Sequence, residues 1–210
     1  MPIEVVRLAL GPLDNNTYLL ADSDQKVAVV VDPSFGSQAV LDEVAMRGWS
    51  LRQIWLTHAH FDHLAGIYEI EAAYQPALLV GLHPADLPLW ENRGDADQFG
   101  LTLDPGPRPT LWFEHGQHLS LGNEVIEVRH VPGHTPGHVA FYHASGILWV
   151  GDLIFKNSVG RTDLAGGNFD VLLASIRSQV FSLPDATRLL PGHGPETNVG
   201  AERAGNPFVS

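Results

Sequence analysis

Residues 57–63 (THAHFDH) constrain this chain more than any other stretch. Three histidines and one aspartate fall within six positions, a density that suits neither a protein core nor an ordinary surface. Residues 51–56 before them predict a strand, and apolar residues at near-helical spacing after them predict a helix that ends near Tyr74. Side chains in such a turn can converge on one point. Imidazole and carboxylate are ligands of zinc, iron and manganese, so the stretch predicts a metal site; the alternative is a solvated polar turn.

Composition and charge exclude several classes of function. The chain has 210 residues, 44% of them hydrophobic and 17% charged, as expected for a soluble globular protein with a sizeable core. With 12 basic and 24 acidic residues its net charge is -12, so we expect no nucleic-acid partner. There is no cysteine, which excludes disulfides, thiolate metal ligands and a cysteine nucleophile.

The sequence also carries an expectation about location. The first residues lack a basic region followed by an apolar segment, so we expect no signal peptide. No apolar run approaches the length that crosses a bilayer, so we expect no membrane partner. A cytoplasmic protein is therefore predicted, and the oligomeric state is left open.

Strands precede a helix and further strands in both halves of the chain, which predicts an α/β protein with sheets faced by helices. Besides the helix that ends near Tyr74, helices are predicted from Ser37 to Gly48 and over residues 169–180. The predicted strands cover residues 5–10, 16–20, 27–31, 51–56, 77–80, 125–131, 139–143, 147–150 and, as the last strand, 187–190.

Residues 83–118 break this pattern. Five prolines and several glycines fall within them, which predicts an irregular loop insertion. Long loops in compact domains are often lids or binding loops, so the segment is either a lid over a site or a solvated insertion.

Three further strands each deliver one metal-binding side chain at their C-terminal end, beside a glycine that lets the backbone come close. Strand ends within one sheet can lie side by side, so we expect these side chains to join the histidine stretch in one site. Seven ligands exceed the four that a tetrahedral zinc needs, and they suit two divalent ions that share one carboxylate. Zinc is the expected metal, with iron and manganese as alternatives. The candidate ligands are His58, His60, Asp62, His63, His134, Asp152 and His193.

The remaining histidines have weaker claims on the site. His138 follows the turn that carries His134, and it is a candidate for orienting a ligand. His83 stands at a strand end and is a candidate for reaching the cleft. The others are expected to be surface or packing residues: His115, His118, His130 and His143.

Taken together, the motif His58-x-His60-x-Asp62-His63 followed by His134, Asp152 and His193 resembles the metallo-β-lactamase superfamily. The resemblance covers almost the whole chain. It implies an αββα four-layer sandwich as a single domain over residues 1–210, with the metals at the sheet edge. It also implies that His58, His60 and His134 hold one metal, that Asp62, His63 and His193 hold the other, and that Asp152 bridges them.

Within that superfamily the chain looks most like glyoxalase II, the hydroxyacylglutathione hydrolase. The segments that carry this likeness are residues 151–155 (GDLIF), 160–163 (GRTD) and 191–194 (PGHG). The resemblance implies a metal-bound hydroxide that attacks a small-molecule thioester such as hydroxyacyl-glutathione, with Asp62 and Asp152 as catalytic carboxylates. β-Lactamases with a cysteine ligand are excluded by the absence of cysteine, and β-CASP nucleases by the lack of room for their inserted domain.

The chain departs from glyoxalase II near its end. Only seventeen residues follow His193, so we expect no separate C-terminal helical domain that binds glutathione. Arg161 and Lys156 are the candidate substrate contacts. The alternative for Arg161 is a structural ion pair with Asp163, which stands where glyoxalase II has a tyrosine.

Two other functions stay open from the sequence. The first is a persulfide dioxygenase, an oxidoreductase that resembles this chain in residues 160–163 and in its short C-terminus. By that resemblance a single iron would use His58, His134 and Asp152, a set suited to ferrous oxygen chemistry. The second is a metal-binding protein without catalysis, whose site is closed by residues 83–113.

Overall fold

Two mixed β-sheets form the centre of the protein, as seen in a computed structural model that describes residues 3–74 and 77–209. The strands of the first sheet lie in chain order, and β3, β4, β5 and β6 run parallel to one another. These strands are β1 (Glu4–Leu10), β2 (Asn15–Asp22), β3 (Val27–Val31), β4 (Ser50–Trp55), β5 (Leu79–Leu82) and β6 (Leu111–Trp112).

The second sheet has six strands in the order β14-β13-β10-β9-β8-β7. Its strands are β7 (His118–Leu121), β8 (Glu124–His130), β9 (Val139–His143), β10 (Ile147–Gly151), β13 (Arg188–Pro191) and β14 (Thr197–Asn198). A separate hairpin of β11 (Ile154–Phe155) and β12 (Ser158–Val159) follows β10.

Helices cover the outer face of each sheet. Apolar side chains of α1 to α4 pack on the first sheet, whereas those of α5 and α6 pack on the second. No helix in the part of the chain that the structure describes is long and apolar enough to cross a bilayer. The helices are α1 (Gln38–Arg47), α2 (Phe61–Leu64), α3 (Ile67–Glu71), α4 (Leu87–Glu91), α5 (Phe169–Ser175), which continues as a π-helical turn over Ile176–Val180, and α6 (Val199–Gly205).

Alternation along the central strands produces the layers. On β3, Val29 and Val31 pack between the two sheets, whereas Ala28 and Val30 pack under the helices of the first sheet. Trp149 of β10 meets them in the inter-sheet core. A strand that is buried on both faces reads as a continuous apolar run, as β3 does. The predicted αββα sandwich is confirmed.

The helix predicted to end near Tyr74 is instead two short helices, α2 and α3, and α3 ends at Glu71. The interruption comes at Gly66, whose N–H donates to the Pro33 carbonyl at 2.9 Å. A Cβ at Gly66 would lie 2.1 Å from Ser37 Oγ, so only glycine lets the chain pass this closely. The strand predicted at 77–80 lies at Leu79–Leu82, and the strand predicted to be last is followed by β14.

Residues 83–118 are more regular than predicted. They contain α4, 3₁₀ turns at Pro84–Asp86 and Arg93–Phe99, strand β6 and the start of β7. Pro84 and Pro88 lie in the first turns of helical segments, where the N–H that proline lacks has no intrahelical partner. Helical turns therefore occupy residues 84–99, where loop was predicted because prolines that begin helical turns resemble loop prolines in sequence, whereas residues 101–110 contain no helix or strand.

Candidate metal centre

The strands that carry the candidate ligands end at one edge of the sandwich. In the first sheet β3 and β4 are parallel, and residues 57–63 follow the end of β4. In the second sheet β10 is parallel to β13, and β8 has the same direction because β9 is antiparallel to both. His134 follows β8, Asp152 follows β10 and His193 follows β13, so all seven side chains arrive at the same edge.

His58, His60 and His134 form what we call the inner cluster. His60 Nδ1 lies 2.9 Å from His134 Nε2, which lies 3.2 Å from His58 Nε2. All three side chains are buried, and one nitrogen of each ring points at the other two rings. Three converging imidazole nitrogens are a typical donor set for one transition-metal cation.

Asp62, His63 and His193 form the outer cluster. His193 Nε2 lies 3.0 Å from Asp62 Oδ2, and His63 Nε2 lies 3.5 Å from the same oxygen. His63 is fully buried, whereas the side chain of His193 is 26% exposed. The outer cluster therefore faces solvent on the side of His193.

Asp152 lies between the two clusters. Its Oδ2 is 3.8 Å from His134 Nε2 of the inner cluster and 3.6 Å from His193 Nε2 of the outer cluster. Its Oδ1 is 3.4 Å from His63 Nε2. Gly192 makes room for this carboxylate, because a Cβ there would lie 2.2 Å from Asp152 Oδ1. The structure thus brings all seven predicted side chains together.

Two buried atoms of these seven residues lack a hydrogen-bond partner, and this bears on whether the residues fit a metal ion. His63 Nε2 and Asp152 Oδ1 have no hydrogen-bond partner among the described residues, although they face each other. Leaving buried polar atoms unpaired is costly, and such atoms are rare in folded proteins. A divalent cation accepts lone pairs from both atoms, so the donor set fits metal binding.

Asp32, which the sequence analysis did not select, supports both the outer cluster and the histidine stretch. Its Oδ2 accepts hydrogen bonds from His63 Nδ1 at 3.0 Å and from Thr57 Oγ1 at 2.7 Å, and its Oδ1 accepts from the Thr57 N–H. Thr57 Oγ1 in turn lies 3.0 Å from His58 Nδ1. Asp32 has a φ of 52°, a left-handed conformation that is uncommon outside glycine. The signal available in sequence was an aspartate at the end of a buried strand.

Backbone carbonyls orient two more of the histidines. His134 Nδ1 donates to the Arg161 carbonyl at 2.7 Å, and His193 Nδ1 donates to the Leu13 carbonyl at 3.1 Å. Each bond turns Nε2 of the same ring toward the centre, where its lone pair can bind a metal ion. His138 Nε2 accepts from the Asp152 N–H at 3.2 Å, a geometry that matches the predicted role of orienting a ligand.

Asp86 supports the inner cluster from the segment that was predicted to be irregular. Its fully buried carboxylate accepts from the Ala59 N–H at 3.1 Å, from Thr135 Oγ1 at 2.7 Å and from the Gly137 N–H at 2.6 Å. One side chain thereby ties the loop of His58 and His60 to the loop of His134. Sequence reasoning missed it because nothing distinguishes it from other loop aspartates.

Burial and charge give the two clusters different protonation. Burial lowers the pKa of His58 well below its usual value and lowers the pKa of His60 to about 3, and neighbouring imidazoles add to this effect. Burial also lowers the pKa of His134. The inner cluster is therefore neutral at pH 7, with its lone pairs available.

The outer cluster shows the opposite direction. Burial lowers the pKa of His63, but the surrounding carboxylates, first Asp62, outweigh it and leave the pKa well above its usual value. The pKa of His193 is raised too, because Asp62 and Asp152 outweigh burial. Burial raises the pKa values of Asp62 and Asp152, but His63 outweighs it, so both pKa values are lowered and both carboxylates are ionised at neutral pH.

The other candidate residues lie outside this centre. His83 stacks on His130, with ring centroids 4.1 Å apart, and His143 is buried against Glu124 at 2.8 Å. Lys156 is exposed and does not line the cavity over the centre. The two histidines that remain are exposed, as predicted for surface residues: His115 and His118.

A cavity of about 350 Å³ opens over the two clusters. Asp62, Asp152 and His193 lie in its lining, and Arg161 lines it as well. Most of the remaining wall is apolar or aromatic: Leu13, Phe61, Phe99, Phe155, Val159 and Leu164.

Comparison with known proteins agrees with this site. The sequence model of the Metallo-beta-lactamase superfamily matches residues 10–193. A hydroxyacylglutathione hydrolase, GloC of Haemophilus influenzae, is 31% identical over 213 residues, which cover 100% of this chain and 99% of that protein.

Two solved structures have nearly the same fold along their whole length. TTHA1623 in a di-iron-bound form is 41% identical with a TM-score of 0.87, covering 97% of this chain and 99% of that one. The BLEG-1 B3 metallo-beta-lactamase is 32% identical with a TM-score of 0.91, covering 99% of this chain and 100% of that one.

Proposed function

The chain belongs to the metallo-β-lactamase superfamily, and we propose that within it the protein is a metal-dependent hydrolase that cleaves thioesters such as hydroxyacyl-glutathione at a two-metal site. The observation that carries this proposal is the position of Asp152, whose Oδ2 lies 3.8 Å from the inner cluster and 3.6 Å from the outer cluster. The similarity to a hydroxyacylglutathione hydrolase along the whole chain supports the thioester as substrate class.

In this proposal the inner cluster holds one divalent ion, the outer cluster holds the other, and Asp152 is shared. When bound, such a pair supplies a nucleophilic water at neutral pH and polarises the attacked carbonyl. Zinc is the metal we propose, since imidazole and carboxylate ligands suit it. Iron is the alternative that a related di-iron structure supports.

The protein's own groups have defined tasks in the proposed reaction. Asp62 and Asp152 are ionised and line the cavity, so they are placed to accept a hydrogen bond from the attacking water and to orient it. A thiol has a pKa of about 8.5, so the departing thiolate is stable enough to leave without a strong general acid. The backbone carbonyls and Asp32 hold the histidine rings in the orientation that the centre needs.

The completeness of the outer cluster favours two ions over the single iron of a persulfide dioxygenase. An iron held by His58, His134 and Asp152 would leave Asp62, His63 and His193 without a cation. His63 Nε2 is buried and unpaired among the described residues, and a second ion satisfies it. The dioxygenase is therefore an outcome of the test rather than our proposal.

Hydrolysis of S-lactoylglutathione by metal-free protein reconstituted with zinc tests the proposal. We expect zinc-dependent turnover by the wild type and by D97A, which changes an exposed aspartate of the 3₁₀ turn Arg93–Phe99. No turnover of any thioester at full zinc occupancy would contradict it. Oxygen consumption with glutathione persulfide by the iron-loaded protein would then support the dioxygenase.

A further inference from the structure

The cavity over the centre carries information about the substrate beyond the reaction type. We propose that, among the thioesters that the protein cleaves, the cavity favours those with an apolar acyl chain and an uncharged thiol part, and that glutathione thioesters react more slowly. This inference rests on the proposed function, because it assigns the substrate class of the same site. It follows from the walls of the cavity, from its one cationic side chain and from its size.

Aromatic rings form part of the cavity wall. Phe61 and Phe99 both line the cavity, and their ring centroids lie 5.0 Å apart. Phe155 lines it too, with its ring centroid 6.3 Å from that of His193. The apolar surface therefore begins next to the candidate ligands, and we place the acyl chain of the thioester against it.

Two large apolar side chains stay open to solvent at this cavity. Phe99 is 46% exposed and Leu13 is 50% exposed, and both line the cavity. Exposed apolar side chains that stand singly need no explanation, but a group of them around a concave site indicates a contact surface for an apolar ligand. Phe99 comes from the 83–118 segment, so that segment contributes part of the proposed binding wall.

The charged side chains that line the cavity disfavour binding of the anionic glutathione group. Arg161 is the one Arg or Lys side chain among the residues that line the cavity. Its Nε and Nη2 donate to the two carboxylate oxygens of Asp163 at 2.7 and 2.8 Å, so this edge of the guanidinium is already engaged. Glutathione carries two carboxylates, whereas the lining residues offer one cationic side chain, which is already paired with Asp163.

The size of the cavity limits the acyl chain. Its volume of about 350 Å³ is near the lower end for ligand cavities. Each methylene buried against such a wall increases kcat/KM by about fourfold. A butyryl group should therefore react about 15-fold better than an acetyl group, and hexanoyl better still.

A matched series of neutral thioesters tests this directly. Acetyl, butyryl and hexanoyl thioesters of N-acetylcysteamine are compared on the zinc-loaded wild type, on F99A and on F208A. Phe208 is exposed and lies outside the cavity lining, so F208A is the matched control. We expect the hexanoyl-to-acetyl ratio of kcat/KM to be high in the wild type and F208A, and to fall about tenfold in F99A. A ratio near one in the wild type, or an unchanged ratio in F99A, would overturn the proposal.

The D163N variant tests the charge argument separately, because it releases Arg161 from its carboxylate partner. We expect it to increase kcat/KM for S-lactoylglutathione relative to lactoyl-N-acetylcysteamine several-fold. No change in that ratio would overturn the assignment of weak glutathione recognition to the Arg161–Asp163 pair.

Binding of the acid products separates this inference from the proposed function. Calorimetry on the zinc-loaded protein should show hexanoate binding at least tenfold tighter than acetate. If no thioester is hydrolysed, the proposed function fails, but tight hexanoate binding still supports the apolar cavity. If thioesters of all chain lengths react equally and both acids bind equally, the hydrolase stands and the apolar selection is wrong.

Discussion

The inner and outer clusters lie at the same sheet edge and share Asp152 as a neighbour, yet they differ in burial and charge. The inner cluster consists of three buried imidazoles whose pKa values are lowered. The outer cluster contains an ionised carboxylate and two histidines, His63 and His193, whose pKa values are raised. The same edge of the sandwich therefore carries two clusters of different protonation: the inner histidines are neutral, whereas the outer histidines hold protons to a higher pH.

Different supports hold the two clusters as well. Asp86 ties together the two loops that carry the inner histidines, whereas Asp32 contacts His63 of the outer cluster directly and reaches the inner His58 only through Thr57. Asp152 stands between the clusters, 3.8 Å from His134 of the inner cluster and 3.6 Å from His193 of the outer cluster. Variants of these three aspartates should therefore affect the sites unequally, which allows the comparison to be tested.

Removal of Asp152 should have the largest effect. In D152A both proposed ions lose the shared ligand, so we expect zinc content to fall below two ions per chain and thioester hydrolysis to fall by about 10³-fold or more. Metal analysis and initial rates measure the two quantities, and D97A serves as the control. Two retained ions in D152A would show that Asp152 does not bridge.

The supporting carboxylates should have intermediate and site-specific effects. D32N places an amide N–H₂ against the donors of His63 and Thr57, so the outer ion should bind about 10- to 100-fold more weakly. D86N places an amide N–H₂ against the donors of Ala59, Thr135 and Gly137. The affinity of the inner cluster for its ion should therefore fall by a similar factor.

Calorimetric zinc titration of both variants resolves which binding step changes. D97A again controls for loss of a negative charge on the 83–118 segment. Equal weakening of both steps in each variant would break the distinction between inner and outer supports.

Lowering the pH should weaken zinc binding at the outer cluster more than at the inner cluster, and this effect should be smaller than those of the substitutions. A histidine with a raised pKa stays protonated to a higher pH, so a cation must displace its proton, and affinity falls about tenfold per pH unit for each proton released. The outer step should therefore weaken between pH 8 and pH 6. The inner step should stay nearly constant there, because the lowered pKa values of His58 and His60 keep those rings neutral.

Zinc titrations at pH 8, 7 and 6 in buffers of different ionisation enthalpy measure both the affinities and the protons released. A parallel loss of affinity in the two steps would contradict the difference in protonation.

The residue pattern predicted sheets faced by helices and seven side chains that meet at one edge, because the ligands follow apolar strands, whereas the αββα sandwich was implied by the resemblance to the superfamily. Strand ends are visible in sequence, and parallel strands bring their ends to one edge. His134, Asp152 and His193 were found in this way although they are far apart in the chain.

Other features depend on packing that no local pattern records. The break at Gly66 follows from the approach of Ser37, and Asp86 acts through loops that lie far from it in sequence. Asp32 was visible as a strand-end aspartate, but its partner His63 is 31 residues away. The ion pair of Arg161 with Asp163 was weighed as one of two alternatives, and the structure shows that pair at the cavity.

The most direct test of the central claim is activity as a function of bound zinc. Metal-free wild-type protein is titrated with zinc while hydrolysis of S-lactoylglutathione is followed. The two-metal account predicts that the rate continues to rise until two equivalents have bound and then stays constant. Full activity at one equivalent, or no activity at two, would contradict it.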